Sequence, residues 1–193
     1  MTEAPAAPEL WLARHGETAW SKSGQHTSFT DLALTDVGEQ QSEKLRPLLA
    51  EVSFDLVLTS PRLRARRTAE LAGFAHAEED GDLVEWGYGD YEGLTTETIR
   101  ETVPGWSVWT HPSPGGESAE QVGTRLDRVV ARARREGRTL VFGHGHSLRA
   151  LTARWLGLGV EHGRLFLLDT GTYSVLGEDR GTPVVTRWNV ESR

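Results

Sequence analysis

Short apolar runs alternate with stretches of helical hydrophobic spacing along this chain. The apolar runs predict buried strands at residues 10–13, 55–59 and 139–142, and three further strands at residues 164–168, 172–176 and 183–190. Apolar residues at helical spacing predict helices near residues 35–51, 61–72, 117–136 and 147–156. Strands that alternate with helices are typical of an α/β domain with a largely parallel sheet and helices on both faces.

Two short segments carry structural signals of their own: the residues that follow the second strand, and the first residues of the chain. Ser60 and Pro61 follow the second strand and predict a helix start, with Ser60 as N-cap and Pro61 in the first turn. Residues 1–8 are rich in alanine and proline, so we expect a disordered tail. We find no linker or repeat in residues 9–193 and expect a single domain there.

Composition excludes several kinds of protein. The 193 residues carry a formal net charge of -7, which disfavours a nucleic-acid binder. Cysteine is absent, so disulfides, thiolate nucleophiles and cysteine-ligated zinc are excluded. The first residues lack the features of a secretory signal, and no apolar run has the length of a membrane span. We therefore expect a cytoplasmic protein with no membrane partner.

A cation and an imidazole follow the first predicted strand directly. Arg14 and His15 end this run, and Gly16 would supply the unusual dihedral angles of the turn that lets both side chains meet one ligand. His144 follows a later strand in the same way, and parallel strands would bring both histidines to one edge of the sheet. This edge is a natural site for a small anion.

Two further segments supply groups that suit phosphate chemistry. The predicted helix after Ser60 would offer free backbone N–H groups to a phosphate, and Arg64 in its first turns would add a bidentate clamp. Glu85 lies in a stretch rich in aromatic residues and glycine. By itself it would be an ordinary surface carboxylate, but beside a phosphate it would be a candidate general acid. Together these groups favour phosphoryl transfer through a covalent intermediate.

The same segments resemble a known family. Arg-His-Gly-Glu-Thr at residues 14–18, Ser-Pro-x-x-Arg-Ala at 60–65, the glutamate motif at 85–93 and His144 are similar to the motifs of the histidine phosphatase superfamily, the phosphoglycerate-mutase-like proteins. The resemblance implies a three-layer α/β sandwich. It also implies a phosphohistidine on His15, phosphate contacts from Arg14, Arg64 and His144, and Glu85 as general acid and base. Because arginines supply the positive charge, we expect neither metal nor cofactor, and a small phosphorylated metabolite as the partner.

A narrower likeness points to one branch of this superfamily. Residues 20–27, 85–93 and 144–146 resemble the branch that holds sedoheptulose-bisphosphatase-type enzymes and an actinobacterial acid phosphatase. By that match His26 and Thr27 line the substrate site, and Ser21 and Gly145 are further candidate substrate-binding residues. The substrate would be a sugar phosphate or bisphosphate.

Several alternatives stay open at this point. A phosphoglycerate mutase would share the motifs, although the segment between Glu85 and His144 is short and Ser21 replaces the asparagine that mutases usually carry. A phospho-ligand sensor without turnover belongs to another class, but the presence of His15 and Glu85 argues against it. Residues 145–149 nearly form the nucleophile elbow of a serine hydrolase, with Arg149 in place of its last glycine. His144 and His146 could form a metal pair, but a third and a fourth ligand are not recognisable.

Overall fold

The computed structural model describes residues 7–191, so most of the predicted N-terminal tail lies outside the described residues. The strands are β1 (Glu9–Arg14), β2 (Leu56–Thr59), β3 (Glu78–Glu79), β4 (Arg138–Gly143), β5 (Thr172–Asp179) and β6 (Thr182–Glu191). The α-helices are α1 (Ala19–Ser23), α2 (Asp36–Leu49), α3 (Leu63–Leu71), α4 (Thr96–Thr102), α5 (Ala119–Glu136) and α6 (Gly145–Trp155).

The strands form one mixed sheet in the order β3-β2-β4-β1-β5-β6. The pairs β3–β2, β2–β4 and β4–β1 are parallel, whereas β5 runs antiparallel to both β1 and β6. Parallel neighbours need a crossover connection, and helices supply those connections here. The predicted α/β class with a largely parallel sheet is confirmed, and the antiparallel pairs are the two that β5 makes, with β1 and with β6.

The alternation of side chains along β1 divides the core into two layers. Leu10 and Leu12 join the apolar cluster beneath α5 and α6, while Trp11 and Ala13 join the cluster beneath α2 and α3. Successive side chains on a strand point to opposite faces, so a continuous apolar run is what a sheet covered on both sides requires. The sheet therefore lies between two layers of helices, and the three layers form the expected sandwich.

The structure corrects two predictions about local elements. Residues 164–168 were expected to form a strand, but the chain forms a 3₁₀-helix over Val160–Leu165 and no strand there. Arginine side chains take the backbone acceptors of this segment: Arg149 donates to the carbonyls of Gly163 and Arg164, and Arg14 donates to that of Leu168. The apolar run had suggested burial, yet Leu165 and Leu167 are largely exposed.

The predicted cap of α3 is also wrong. The helix begins at Leu63 with Arg62 at the N-cap position, so Pro61 lies before the helix. The Ser60 hydroxyl instead lies 2.7 Å from the ring of His144. Within residues 7–191, we find no helix with the length and hydrophobicity needed to cross a membrane.

Candidate active site

The ends of β1 and β4 bring two histidines together. Arg14 pairs in register with Gly143, and the backbone N–H of His15 donates to the Gly143 carbonyl at 3.0 Å. His144 follows directly, and the ring centroids of the two histidines are 5.2 Å apart. The expectation that the two imidazoles share one edge of the sheet is confirmed, because the register of the parallel pair aligns the strand ends.

The His15 ring is held in the form that leaves Nε2 free. Its Nδ1 lies 2.7 Å from the backbone oxygen of Gly16. A carbonyl oxygen only accepts hydrogen bonds, so Nδ1 carries the proton and Nε2 keeps its lone pair. Burial lowers the pKa of His15 well below 6.5, and the nearby Arg64 and Arg14 lower it further. A neutral, oriented imidazole is the form that a nucleophile requires.

Gly16 is needed for close packing. The left-handed backbone that we expected for the turn is not found at this position. A β-carbon on Gly16 would instead lie 2.1 Å from the backbone oxygen of Gly38, near the start of α2. The Gly16 N–H donates to the hydroxyl of Thr68 at 3.1 Å. The turn is therefore pressed between α2 and α3, and only glycine leaves room for it.

Arg64 fixes the hydrogen-bonding state of His144. The Arg64 Nε donates to Nδ1 of His144 at 3.1 Å, so the His144 proton resides on Nε2, which lies 2.7 Å from the Ser60 hydroxyl oxygen. Burial lowers the pKa of His144 well below 6.5, with Arg64 and His15 adding to the effect. His144 is thus a neutral donor through Nε2 beside the candidate nucleophile.

The loop after α1 surrounds the Arg64 guanidinium with carbonyl oxygens. Arg64 donates to the backbone oxygens of Thr27, Ser28 and Thr30 at 3.1–3.4 Å. The loop is held in turn by the Glu92 carboxylate, which accepts from the backbone N–H groups of Ser28 and Thr30 at 2.9 Å. Arg64 therefore ties the loop to His144, and Glu92 is a structural acceptor.

Glu85 is tied to the start of α6. Its carboxylate accepts from the backbone N–H groups of Trp86, His146 and Ser147 at 2.7–2.9 Å. Glu85 is buried, and its side chain also lines the cavity that contains His15. The N-terminal end of α6 thus fixes the candidate acid in the wall of the cavity that the candidate nucleophile also lines.

A cavity of about 270 Å³, named here the cleft, contains most of the predicted site residues. Arg14, His15 and Glu85 line it, and so do all four candidate substrate-binding residues: Ser21, His26, Thr27 and Gly145. Arg64 and His144 lie beside His15 but are not among the lining residues. Ser21 has a structural task as well, since its hydroxyl accepts from Thr18 N–H in the capping box of α1.

Gly145 lets Arg14 approach the helix. A β-carbon at Gly145 would lie 3.3 Å from Cζ of Arg14, closer than most such contacts allow. Arg14 is held through its bond to the Leu168 carbonyl, while its buried Nε has no partner in the described part of the chain. A desolvated N–H without an acceptor is costly, so this cation is prepared for an anion.

Three of the N–H groups at the starts of α3 and α6 have protein partners. The N–H of Leu63, the first residue of α3, donates to the Asp31 carboxylate at 2.7 Å. At α6, the N–H groups of His146 and Ser147 donate to Glu85. These three N–H groups are therefore not free to bind a phosphate. Among the residues that the structure describes, no group of three or more His, Cys, Asp or Glu side chains is arranged to hold a metal.

Three side chains that the sequence did not assign to the site also line the cleft. Tyr88, His146 and Arg149 line it together with the predicted residues. Tyr88 and His146 are linked by a 2.5 Å hydrogen bond between the hydroxyl and Nδ1. Arg149 could have been found from helical spacing, because it lies four residues after Gly145 and so on the same face of α6.

Comparison with known proteins agrees with this geometry. Residues 10–191 match the histidine phosphatase superfamily (branch 1). The chain is 46% identical over 177 residues to an acid phosphatase of Mycobacterium tuberculosis, covering 89% of this chain and 87% of the relative. It is 39% identical over 188 residues to the sedoheptulose 1,7-bisphosphatase of Saccharomyces cerevisiae, covering 80% of this chain and 69% of the relative.

A solved structure extends the likeness to three dimensions. The protein of an open reading frame from Mycobacterium tuberculosis superimposes with a TM-score of 0.92 at 42% identity, covering 96% of this chain and 99% of the other. The fold and the paired histidines at the strand ends define a phosphoglycerate-mutase-like α/β protein. The chain belongs to the histidine phosphatase superfamily, branch 1. Its phosphatase-named relatives support phosphatase activity.

Proposed function

We propose that this protein hydrolyses phosphomonoesters of small metabolites through a phosphohistidine on His15. One observation carries the proposal: a neutral His15 with a free Nε2 faces the same cleft as Arg14 and Glu85. These are the three kinds of group that phosphoryl transfer to a protein side chain needs, namely a nucleophile, a cation and a proton donor.

The first half-reaction transfers the phosphoryl group to the protein. Nε2 of His15 attacks phosphorus, the ester P–O bond breaks, and Glu85 gives its proton to the leaving alcohol. The ring keeps its proton on Nδ1 and becomes positively charged, which the Gly16 carbonyl at 2.7 Å stabilises. Arg14, whose buried Nε has no partner in the described part of the chain, balances the charge on the equatorial oxygens. The scheme further requires Arg64 and the Nε2–H of His144 to exchange their present protein partners, the loop carbonyls and the Ser60 hydroxyl, for phosphate oxygens.

The second half-reaction restores the protein. Glu85, now a carboxylate, takes a proton from a water molecule that attacks phosphorus. The P–N bond breaks, inorganic phosphate leaves, and His15 returns to its neutral form. Each group ends as it began, so the cycle needs no further reactant. In this scheme the guanidiniums supply the positive charge that a metal ion provides in other phosphatases, so we propose that the activity is independent of metal.

The decisive experiment replaces the nucleophile. His15→Ala should reduce hydrolysis of p-nitrophenyl phosphate in EDTA by a factor of about 10³ or more, since the covalent route is lost. His76→Ala, at an exposed histidine outside the cleft, is the matched control and should keep wild-type activity. Thermal unfolding of both variants checks that the fold is intact.

Other outcomes would identify the competing functions. Wild-type levels of hydrolysis by His15→Ala would refute the nucleophile assignment. Ester binding without turnover in the wild type would indicate a sensor, and activity that EDTA abolishes would indicate a metal enzyme. Net interconversion of phosphoglycerates without phosphate release would indicate a mutase.

A further inference from the structure

The last strand of the sheet contains an irregularity near its end. The register of the β5–β6 pair shifts around Ser174, and two residues of β6, Trp188 and Asn189, lie opposite this single residue. Such an extra residue is a β-bulge, which interrupts the ladder and changes the direction of the side chains on the bulged strand. The N–H of Asn189 accordingly donates to the buried hydroxyl of Ser174, at 2.9 Å.

Asn189 also has a backbone conformation that residues with a β-carbon rarely adopt. Its φ is 52°, and in the described part of the chain Arg180 is the other non-glycine residue with a positive φ. Arg180 lies in the two-residue turn between β5 and β6, where hairpins commonly require this conformation. Asn189 lies within a strand, where nothing in the turn geometry requires it. A backbone cost of this kind persists where the side chain makes compensating contacts.

The bulge directs two consecutive side chains to one segment of the chain. Successive side chains of a regular strand point to opposite faces, but Trp188 and Asn189 both contact the residues that precede β5. Trp188 Nε1 donates to the carbonyl of Leu167 at 2.5 Å. Asn189 Oδ1 accepts from the N–H of Asp169 at 2.8 Å, and Asn189 Nδ2 donates to the Asp169 carboxylate at 2.6 Å. The residues on both sides of Leu168 are therefore held by β6.

Residues 167–171, named here the strap, connect the bulge to the active site. The strap contains no helix or strand, so no regular ladder of hydrogen bonds fixes it. The carbonyl of Leu168 accepts from Nη1 of Arg14. At the end of the strap, the N–H of Gly171 donates to the carbonyls of Arg14 and His15 at 3.2 and 3.1 Å. The strap thus contacts both residues that end β1 at the cleft.

The direction of the Arg14 side chain depends on the strap. The Leu168 carbonyl is the acceptor that Arg14 has within residues 7–191, and the buried Nε of Arg14 has no acceptor there. On the other side, the backbone of Gly145 is so near that an added β-carbon would lie 3.3 Å from Cζ of Arg14. Because a guanidinium is planar and rigid, the position of Nη1 also fixes the direction of the Nε–H.

We propose that Asn189 is a positioning residue for phosphate binding, because it fixes the strap and so orients Arg14 in the cleft. This inference rests on the proposed function, in which Arg14 binds the phosphoryl group. Glycine would suit the left-handed backbone at position 189 better, but it could form neither side-chain bond to Asp169. Trp188 supports the same strap and packs against Phe166, with ring centroids 5.2 Å apart.

Asn189→Gly tests the proposal with little risk to the fold, because glycine removes the amide and accepts the left-handed backbone. We expect the Kd of inorganic phosphate, measured by calorimetry, to rise about 10-fold or more. The kcat/KM for p-nitrophenyl phosphate should fall by a similar factor. This is the range for the loss of one well-oriented charge-assisted hydrogen bond. Thermal unfolding of the variant checks that the fold is intact.

Two further variants distinguish the strap from the hairpin as a whole. Arg180→Gly replaces the other left-handed residue, which does not line the cleft, and should leave the phosphate Kd unchanged. Trp188→Phe removes the bond to Leu167 but keeps an aromatic ring beside Phe166, and should raise the phosphate Kd in the same direction as Asn189→Gly.

A double-mutant cycle separates positioning of Arg14 from a general loss of structure. In the Arg14→Ala background the group that the strap orients is absent, so Asn189→Gly should change kcat/KM by less than about 2-fold. An unchanged phosphate Kd in Asn189→Gly, or an equal loss of kcat/KM with and without Arg14, would overturn the proposal while leaving the phosphatase intact. Failure of the proposed function would appear instead as wild-type activity in His15→Ala.

Discussion

Arg125 donates from Nη2 to the backbone oxygen of Glu85 at 3.2 Å. The same buried guanidinium donates to the carbonyls of Asp82 and Val84 at 2.7 and 2.9 Å, and its Nε is paired with the Glu117 carboxylate at 2.8 Å. Glu117 in turn accepts from the Gly87 N–H at 2.8 Å. Arg125 on α5 thus fixes the segment that presents the candidate acid, without lining the cleft itself.

Replacing Arg125 should impair proton donation more than phosphate binding. Arg125→Gln breaks the contacts that position Glu85, so we expect kcat to fall about 10- to 100-fold for an alkyl phosphate, with KM changing little. The loss should be smaller for p-nitrophenyl phosphate, whose leaving group needs little protonation. Steady-state kinetics with the two esters measures the difference.

Two variants of α5 control this prediction. Arg125→Lys keeps the charge beside Glu117 and should recover part of the activity. Arg128→Gln removes an exposed arginine that binds the side chain of Asp82, and should behave as wild type. An equal loss for both esters in Arg125→Gln would show that the residue supports the fold rather than the acid.

Gly16→Ala should lower the free energy of unfolding by about 1–3 kcal/mol or more. The added β-carbon would meet the backbone of Gly38, which cannot rotate away as a side chain could. Gly81→Ala is the matched control, because a β-carbon at Gly81 meets no atom within 4 Å and Gly81 does not have a positive φ. Urea unfolding of both variants provides the comparison, and equal stabilities would contradict the packing argument.

The pKa of His15 should remain below 6.5 in the free protein. Burial and the two neighbouring arginines disfavour the imidazolium, so the ring stays neutral as the pH falls through 6.5. An NMR titration of the imidazole signals, with His15→Ala to assign them, tests this directly. A His15 signal that titrates at or above pH 6.5 would show that burial and the two arginines do not lower its pKa, and would contradict this prediction.

Protein stability should decrease as the pH falls below about 6.5. His26 has a pKa of about 4 in the folded protein and 6.5 in the unfolded chain, so the unfolded state binds more protons between these values. Its contribution of up to about 3 kcal/mol is present above pH 6.5 and is lost toward pH 4. His15, His144 and His146, whose pKa values are also lowered, act in the same direction.

His26→Gln isolates one part of this pH dependence. Glutamine retains a group that can bond Thr96, the partner of the His26 ring at 3.2 Å, and it does not titrate. The stability deficit of His26→Gln relative to wild type should therefore shrink between pH 7 and 5. Over this range Glu92, whose charge raises the pKa of His26 against the larger effect of burial, stays ionised because its hydrogen bonds hold its own pKa below 4.5. Urea unfolding at several pH values gives the curve, and a constant deficit would contradict the assignment to His26.

The position of the paired histidines was predictable because it depends on local rules. A buried strand ends where its apolar run ends, and parallel strands end at one edge, so Arg14, His15 and His144 had to converge if the sheet was parallel. The segment at residues 164–168 shows the limit of such rules. Its apolar run is typical of a strand, but its carbonyls at Arg164 and Leu168 accept hydrogen bonds from Arg149 and Arg14 instead of from a neighbouring strand.

Apolar periodicity and motif spacing by themselves determined the α/β class, the strand that ends at Arg14, and the candidate residues of the site. Tertiary packing decided the rest: the tautomer of His15, the bond from Arg64 to His144, and the bond by which Arg125 holds the backbone of Glu85. The physical reason is the distance along the chain over which each kind of interaction acts. Hydrophobic spacing acts within one element, whereas a hydrogen bond between residues 80 positions apart exists only after the sheet and both helix layers have been assembled.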